Sequence, residues 1–133
     1  MRRALLLLAL APAIAVAQAT RVTPVFAHAL PKMASGQMRM RVLEVRYGPG
    51  GSSLPHRHPC PVMVYVLEGA IRSQVEGEPE AIYRAGESFY EAPNAIHRIS
   101  ANASRTEPAR FLAVFICDHE AELSEALPGD KHP

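Results

Sequence analysis

Three histidines carry the chemistry open to this sequence. His56 and His58 are one residue apart, and on an extended segment alternate side chains point to the same side. His97 follows beyond the intervening strands and can close the same face. Imidazole is the commonest protein ligand for Zn, Fe, Cu and Ni. Three neutral imidazoles on an octahedral ion leave two or three positions open, as catalysis requires, whereas a closed set of four protein ligands is structural. If the three do not converge, the chain is an ordinary small β domain.

Several neighbours could join such a site. Cys60 lies two residues after His58 and can share its face. As a thiolate it would bind a soft metal; as alternatives it is a buried thiol or bonded to Cys117. Gln74 is a further candidate, as a weak ligand or a hydrogen-bond donor. Tyr65 and Tyr90 either line a pocket or fill the core, with packing the simpler reading. Glu44 and Glu91 are candidate acceptors that orient imidazole N–H groups. Glu68 reads as a turn residue, and no side chain stands out as a general base. His28, His119 and His132 fall in leader or tail segments and read as solvated.

The elements that must position these residues are short strands. Met38 to Tyr47 alternates apolar and polar residues, with a phase slip at Val42–Leu43 that predicts a bulge or bend. Val62 to Leu67 is an unbroken apolar run, as expected of a buried strand. Ala70 to Val75, Ala81 to Arg84, Ser88 to Glu91, Ile96 to Ser100 and Arg110 to Cys117 follow, separated by Gly, Pro and Asn turn signals. Val22 to Ala27 reads as an edge strand. Asp118 to Leu127 reads as a short helix, with Asp118 as N-cap and Leu123 and Leu127 on one face. Seven or eight short strands in succession, with little helix, predict an antiparallel sandwich or barrel.

Residues 1–19 read as a secretory signal peptide. Met1-Arg2-Arg3 is basic, Ala4 to Val16 is almost purely apolar, and Ala17-Gln18-Ala19 is a small-x-small cleavage site. The apolar run is short for a membrane span, so no stable membrane insertion is expected once it is cut. Cleavage after Ala19 places the mature chain in the periplasm or outside the cell, where a disulfide is allowed. Its length is that of one domain. Loss of Arg2 and Arg3 takes the basic residues from 14 to 12, against 13 acidic ones. A balance near −1, with no basic stripe, argues against nucleic acid. With no tryptophan, the core must be mainly aliphatic.

Two segments resemble the motifs of the cupin superfamily. Gly50 to Gly69 resembles the first, G(X)5HXH(X)3,4E(X)6G, with Gly50, His56, His58 and Gly69 in register. The stretch from Gly86 resembles the second, G(X)5PXG(X)2H(X)3N, with Gly86 and His97 in register. Four positions depart. Val62 stands at the glutamate position, Ala92 at the proline (with Pro93 adjacent), Asn94 at the glycine, and Ala101 at the asparagine (with Asn102 next). Asn tolerates the left-handed conformation a glycine there can serve.

The resemblance implies an all-β fold, an antiparallel jelly-roll barrel or double-stranded β-helix over residues 38–118. A leader or edge strand over 20–37 precedes it, and a short C-terminal helix or tail over 119–133 follows. It also implies one divalent metal on His56, His58 and His97. The ion is Fe, Mn, Zn, Ni or Cu, and the resemblance favours Fe(II) or Mn(II). Lacking the carboxylate, the site looks like the three-histidine centre of some cupin dioxygenases. It would keep the full 2+ charge and favour a small anionic ligand such as an enolate, thiolate or carboxylate. An oxygenase or isomerase is then one expectation. The alternatives are a non-catalytic small-ligand or metal-binding module of the cell envelope, and a barrel that has lost its metal. Cupins often pair edge strands into homodimers, and Val22 to Ala27 would be the donor here.

Overall fold

The computed structural model describes residues 21–34 and 36–127. Residues 1–19, read above as a signal peptide, and the last six residues, which include His132, lie outside that range. Ten strands are formed: β1 (Arg39–Tyr47), β2 (Ser52–Ser53), β3 (His56–Arg57), β4 (Val62–Glu68), β5 (Ala70–Val75), β6 (Ala81–Arg84), β7 (Ser88–Glu91), β8 (Ile96–Asn102), β9 (Ala109–Cys117) and β10 (Glu125–Ala126). There is no helix among the described residues, and hence none long and apolar enough to cross a membrane. All pairings are antiparallel.

Two sheets face one another in a jelly-roll arrangement. The first has the order β1-β9-β4-β7, the second β10-β3-β8-β5-β6, with β2 also paired to β8. Alternation decides what lies between them. On β4, Val62, Val64 and Val66 point inward, and on β9 so do Phe111, Ala113 and Phe115. Partly buried Met63 and Tyr65 take the other face of β4. The β4–β5 turn needs its glycine: Gly69 sits at φ 71°, and a Cβ there would stand 2.5 Å from the Pro108 carbonyl oxygen.

Three local expectations are corrected. The phase slip in β1 is not a bulge, because β1 pairs with β9 without a register shift from Arg39↔Cys117 to Tyr47↔Ala109. Instead Met40 and Val42 lie on the outer face, 70% and 49% exposed, while Leu43, Val45 and Tyr47 line the interior. Arg39 and Arg41 share the parity of Leu43, Val45 and Tyr47 but stay partly exposed at the strand's start, where both pair with Glu120 from the tail. The shifts occur at Val66/Glu68 and Gln74/Val75.

Val22 to Ala27 is not a strand. The leader lies over the outer face of the first sheet, where the His28 ring stacks on Tyr90 at 3.7 Å. Phe26, Ala27 and Leu30 flank a hollow with Met63, Tyr90, Val114 and Ile116. The leader thus lies sideways against an apolar outer face rather than along a strand edge.

Asp118 to Leu127 is not a helix but an extended tail ending in β10. The Asp118 carboxylate accepts from the Ala34 backbone N–H at 2.6 Å and contacts His119 at 2.6 Å, and no helix follows it among the described residues. The tail's apolar side chains, Ala121 and Leu123, pack against the core cluster instead.

Cys60 and Cys117 form a disulfide across a sequence separation of 57 residues, with Cα atoms 5.2 Å apart. This ties the segment after His58 to the end of β9. Closing a loop of this length restricts the unfolded chain. Replacing both cysteines by alanine is expected to lower the unfolding free energy by about 2–4 kcal/mol. It should appear as a lower urea midpoint with a slope no smaller than the wild type's, since the freed unfolded chain exposes more surface; a midpoint equal to the wild type's would show that the cross-link constrains nothing.

Candidate metal centre

Strand pairing brings the three histidines together. His56 on β3 stands directly opposite His97 on β8. His58 follows β3 with the same facing, and its backbone carbonyl accepts from Asn94 N–H at 2.7 Å. Asn94 is the described non-glycine residue with a positive φ, 61°, as its place at the motif glycine suggested. That turn therefore fixes the spacing between His58 and the start of β8. The ligand atoms of His56, His58 and His97 lie within 4.8 Å of one another.

Each ring is held from its outer side. His56 Nδ1 is 2.7 Å from the Leu54 carbonyl, and His58 Nδ1 is 2.5 Å from the Leu123 carbonyl. A carbonyl can only accept, so in each ring Nδ1 carries the proton and Nε2 keeps its lone pair. His97 Nε2 is 2.8 Å from Ser73 Oγ, leaving its Nδ1 for the interior. With Ser73 Oγ accepting from His97 Nε2–H, one lone pair per ring remains for a common guest, and the outer partners fix orientation.

A fourth polar group enters from β7. Glu91, 3% exposed, places Oε2 3.1 Å from His97 Nδ1 and 3.5 Å from His58 Nε2. At 3.1 Å the two groups are close enough for His97 to help hold the Glu91 pKa down, but the ring nitrogen and the carboxylate are not aligned as donor and acceptor. Glu91 Oε2 and His97 Nδ1 are thus two of three buried side-chain polar atoms without a hydrogen-bond partner among the described residues. Such orphaned atoms are unfavourable in a protein interior unless something satisfies them. A divalent cation fits this donor set of imidazoles and carboxylate.

The electrostatics are consistent with ligands in their metal-binding forms. Burial is the largest influence on His56 and, aided by the neighbouring His58 and His97, lowers its pKa against the opposing pull of Leu54 and Glu91. For Glu91, burial works to raise the pKa, but His97, His58 and His56 together outweigh it and hold the carboxyl below its ordinary value.

Above the histidines opens a cavity of about 770 Å³. Its walls are mostly apolar, among them Leu43, Val45, Val64, Phe89, Phe111 and Phe115. At one wall Tyr47 Oη is hydrogen-bonded to Ser53 Oγ and, at 3.0 Å, to Ser100 Oγ. No lysine or arginine lines it among the described residues.

The other sequence candidates are placed elsewhere. Gln74 faces away and contacts the Glu78 carbonyl at 3.4 Å; its inward neighbour Ser73 holds His97 instead. Tyr65 belongs to the outer face of β4, and Tyr47, not singled out from sequence, reaches the cavity. Cys60 has no thiolate to offer, because its sulfur is in the disulfide. Glu44 pairs with Arg46 and Arg110, and Glu68 also pairs with Arg110. His28 stacks on Tyr90, and His119 is exposed beside Asp118. Glu91 does reach the site, but it faces the inner nitrogens. The sequence signal for that was its inward parity on β7, opposite Val62.

A family model described as the cupin domain matches residues 43–115. No curated protein matches significantly. Among solved structures, a DMSP lyase from Ruegeria pomeroyi superposes with TM-score 0.61 and 17% identity, over 70% of this chain and 45% of its own. A cupin-like protein from Thermotoga maritima gives 0.57 and 24%, over 66% and 64%. A polyketide cyclase from Streptomyces resistomycificus gives 0.55 and 25%, over 71% and 66%. In each case the match spans less than two thirds of the other protein's length.

The two pKa shifts predict a direction for acid sensitivity. His56, lowered from its ordinary 6.5, binds fewer protons folded than unfolded, so its contribution is complete above pH 6.5 and declines below it. Glu91, lowered from 4.5, adds a further loss below that value. Metal-free protein should lose unfolding free energy as pH falls from 6.5 toward 4.5, and His56→Gln should flatten that decline. A wild-type profile no steeper than the variant's would contradict the burial effect.

Proposed function

This chain belongs to the cupin family, and from that premise we propose that it is an exported protein holding one divalent metal on His56, His58 and His97, where a small molecule binds through the metal. The observation that carries the reading is the directed triad. Three rings, each anchored on its outer nitrogen, leave one lone pair apiece for a common point at the cavity. When bound, the ion supplies Lewis acidity to an oxygen or sulfur donor of the ligand.

The cavity shapes the rest of the proposal. Its walls accept an apolar body, and no lysine or arginine is present among the described lining residues to pair with a second anionic group. The ligand class is therefore a small, largely apolar molecule with one chelating anionic group, such as an enolate, thiolate or carboxylate. Tyr47, Ser53 and Ser100 offer hydroxyls to a polar substituent away from the histidines. Oxygenase or isomerase chemistry is the enzymatic form of this reading, with Fe(II) or Mn(II) as the expected ion. Solved structures similar to this chain include an oxalate oxidase, which aligns at 24% identity over 45% of its own length, and the DMSP lyase above.

A specific observation supports a second reading, a non-catalytic carrier or sensor. Glu91 is the one carboxylate lining the cavity among the described residues, and it sits at the histidines rather than over the space a ligand would fill. Among the described residues no separate carboxylate base lines the cavity. Export rests on the basic and apolar leader of residues 1–19, and the disulfide is the kind of bond an oxidising compartment preserves.

Mature protein purified without chelator is expected to hold one divalent ion per chain, and His56→Ala to hold well under half of that. Metal content low in the wild type and unchanged by His56→Ala would overturn the site. The exported form should have the mass of a chain beginning at Thr20; recovery of the full-length chain from the cytoplasm alone would overturn export. Oxygen uptake by the Fe(II)-loaded protein with thiols, β-diketones and flavonols separates the readings. Turnover supports the enzyme, and binding without turnover supports the carrier.

A further inference from the structure

Val62 occupies the position at which the cupin motif has its carboxylate, yet a carboxylate stands beside the histidines. Val62 on β4 lies directly opposite Glu91 on β7, and both face the cavity. Resting on the three-histidine reading above, we propose that Glu91 is the fourth protein ligand of the ion, contributed by the strand across from the expected one.

A glutamate among metal-binding histidines has two roles open to it, and they differ in which nitrogen it meets. An orienting carboxylate accepts from the ring N–H that points away from the ion. Here those outer nitrogens are already taken, by the Leu54 carbonyl at 2.7 Å, the Leu123 carbonyl at 2.5 Å and Ser73 Oγ at 2.8 Å. Glu91 Oε2 instead meets His58 Nε2 at 3.5 Å and His97 Nδ1 at 3.1 Å, the nitrogens left for the ion. If Glu91 merely oriented His97, both nitrogens of that ring would be spent, and His97 could not bind metal.

The separations also suit shared ligation. Two donor atoms each ~2.1 Å from one ion stand ~3.0 Å apart at an octahedral right angle and ~3.4 Å apart at a tetrahedral angle. The observed 3.1 and 3.5 Å fall beside those values. Glu91 Oε2 and His97 Nδ1 are both buried and without a hydrogen-bond partner, a condition that one cation relieves for both at once. The centre would then carry one positive charge in place of the two left by a neutral triad. This weakens its pull on anions and leaves fewer open positions than three histidines alone.

The test is a metal titration of the full mature protein with Zn(II) in competition with a chromogenic chelator. It is joined to the visible spectrum of the Co(II)-loaded form. Four proteins are compared: wild type, Glu91→Gln, Ser73→Ala and the double variant Glu91→Gln with Val62→Glu. Glu91→Gln is expected to weaken Zn(II) binding by ~100-fold or more and to shift the Co(II) bands. Ser73→Ala, which touches only an outer nitrogen, should weaken binding by ~10-fold with the bands in place. The double variant should recover most of the lost affinity, because Val62 shares the face of Glu91. Wild-type affinity and bands in Glu91→Gln would overturn the fourth ligand while leaving the three-histidine site standing. A wild type that binds neither metal would overturn both. Because Glu91→Gln alters a buried charge, the infrared difference spectrum of wild-type protein on Zn(II) addition gives a variant-free readout. A shifted carboxylate stretch supports ligation, and an unshifted one overturns it.

Discussion

Burying three imidazoles and a carboxylate among valine and phenylalanine side chains is unfavourable unless each polar atom finds a partner. This barrel meets that demand unevenly. The outer nitrogens are satisfied by two backbone carbonyls and a serine, whereas Glu91 Oε2 and His97 Nδ1 are left facing one another without a hydrogen bond. Much of the surrounding architecture serves this arrangement. The β3–β8 register sets His56 against His97, the Asn94 turn holds the backbone of His58, and Phe115 closes edge-on against the His58 ring at 5.2 Å.

The barrel was legible in the sequence because its strands alternate and its turns are marked. The runs at 62–67, 70–75, 81–84 and 88–91 correspond to β4 through β7 with little change. The histidine cluster was legible too, since a two-residue period puts His56 and His58 on one face whatever the details of the sheet. Single-residue parity on the returning strands was harder to read. Gln74 looked the better ligand by chemistry, but Ser73 has the inward phase, and a shift of one residue exchanges the two faces. The same choice separates Tyr47, which reaches the cavity, from Tyr65, which does not.

Glu91 shows a different limit. Its chemistry was visible, and an orienting role suits a carboxylate at a position the motif leaves unspecified. What no sequence pattern displays is which face of which imidazole it meets. That depends on the β4–β7 register, on the tautomers set by Leu54 and Leu123, and on Ser73 occupying the far side of His97. The tail misled for a related reason. Leu123 and Leu127 suit a helical face, but Glu120 is drawn to Arg39 and Arg41, and Leu123 packs into the core. Tertiary contacts outweigh the weak helical preference of so short a segment.

The Leu123 carbonyl has a consequence for the order in which the molecule is built. It is the partner that sets the His58 ring, and it lies 65 residues further along the chain. A polypeptide made from its N-terminus forward therefore presents His56 and His58 long before the group that aims one of them exists. Contacts this distant in sequence also form late, because their closure entropy must be met first. The His58 ring is thus the last of the three to be aimed, and a chain shortened before Leu123 would keep the partners of His56 and His97 while leaving His58 free to turn.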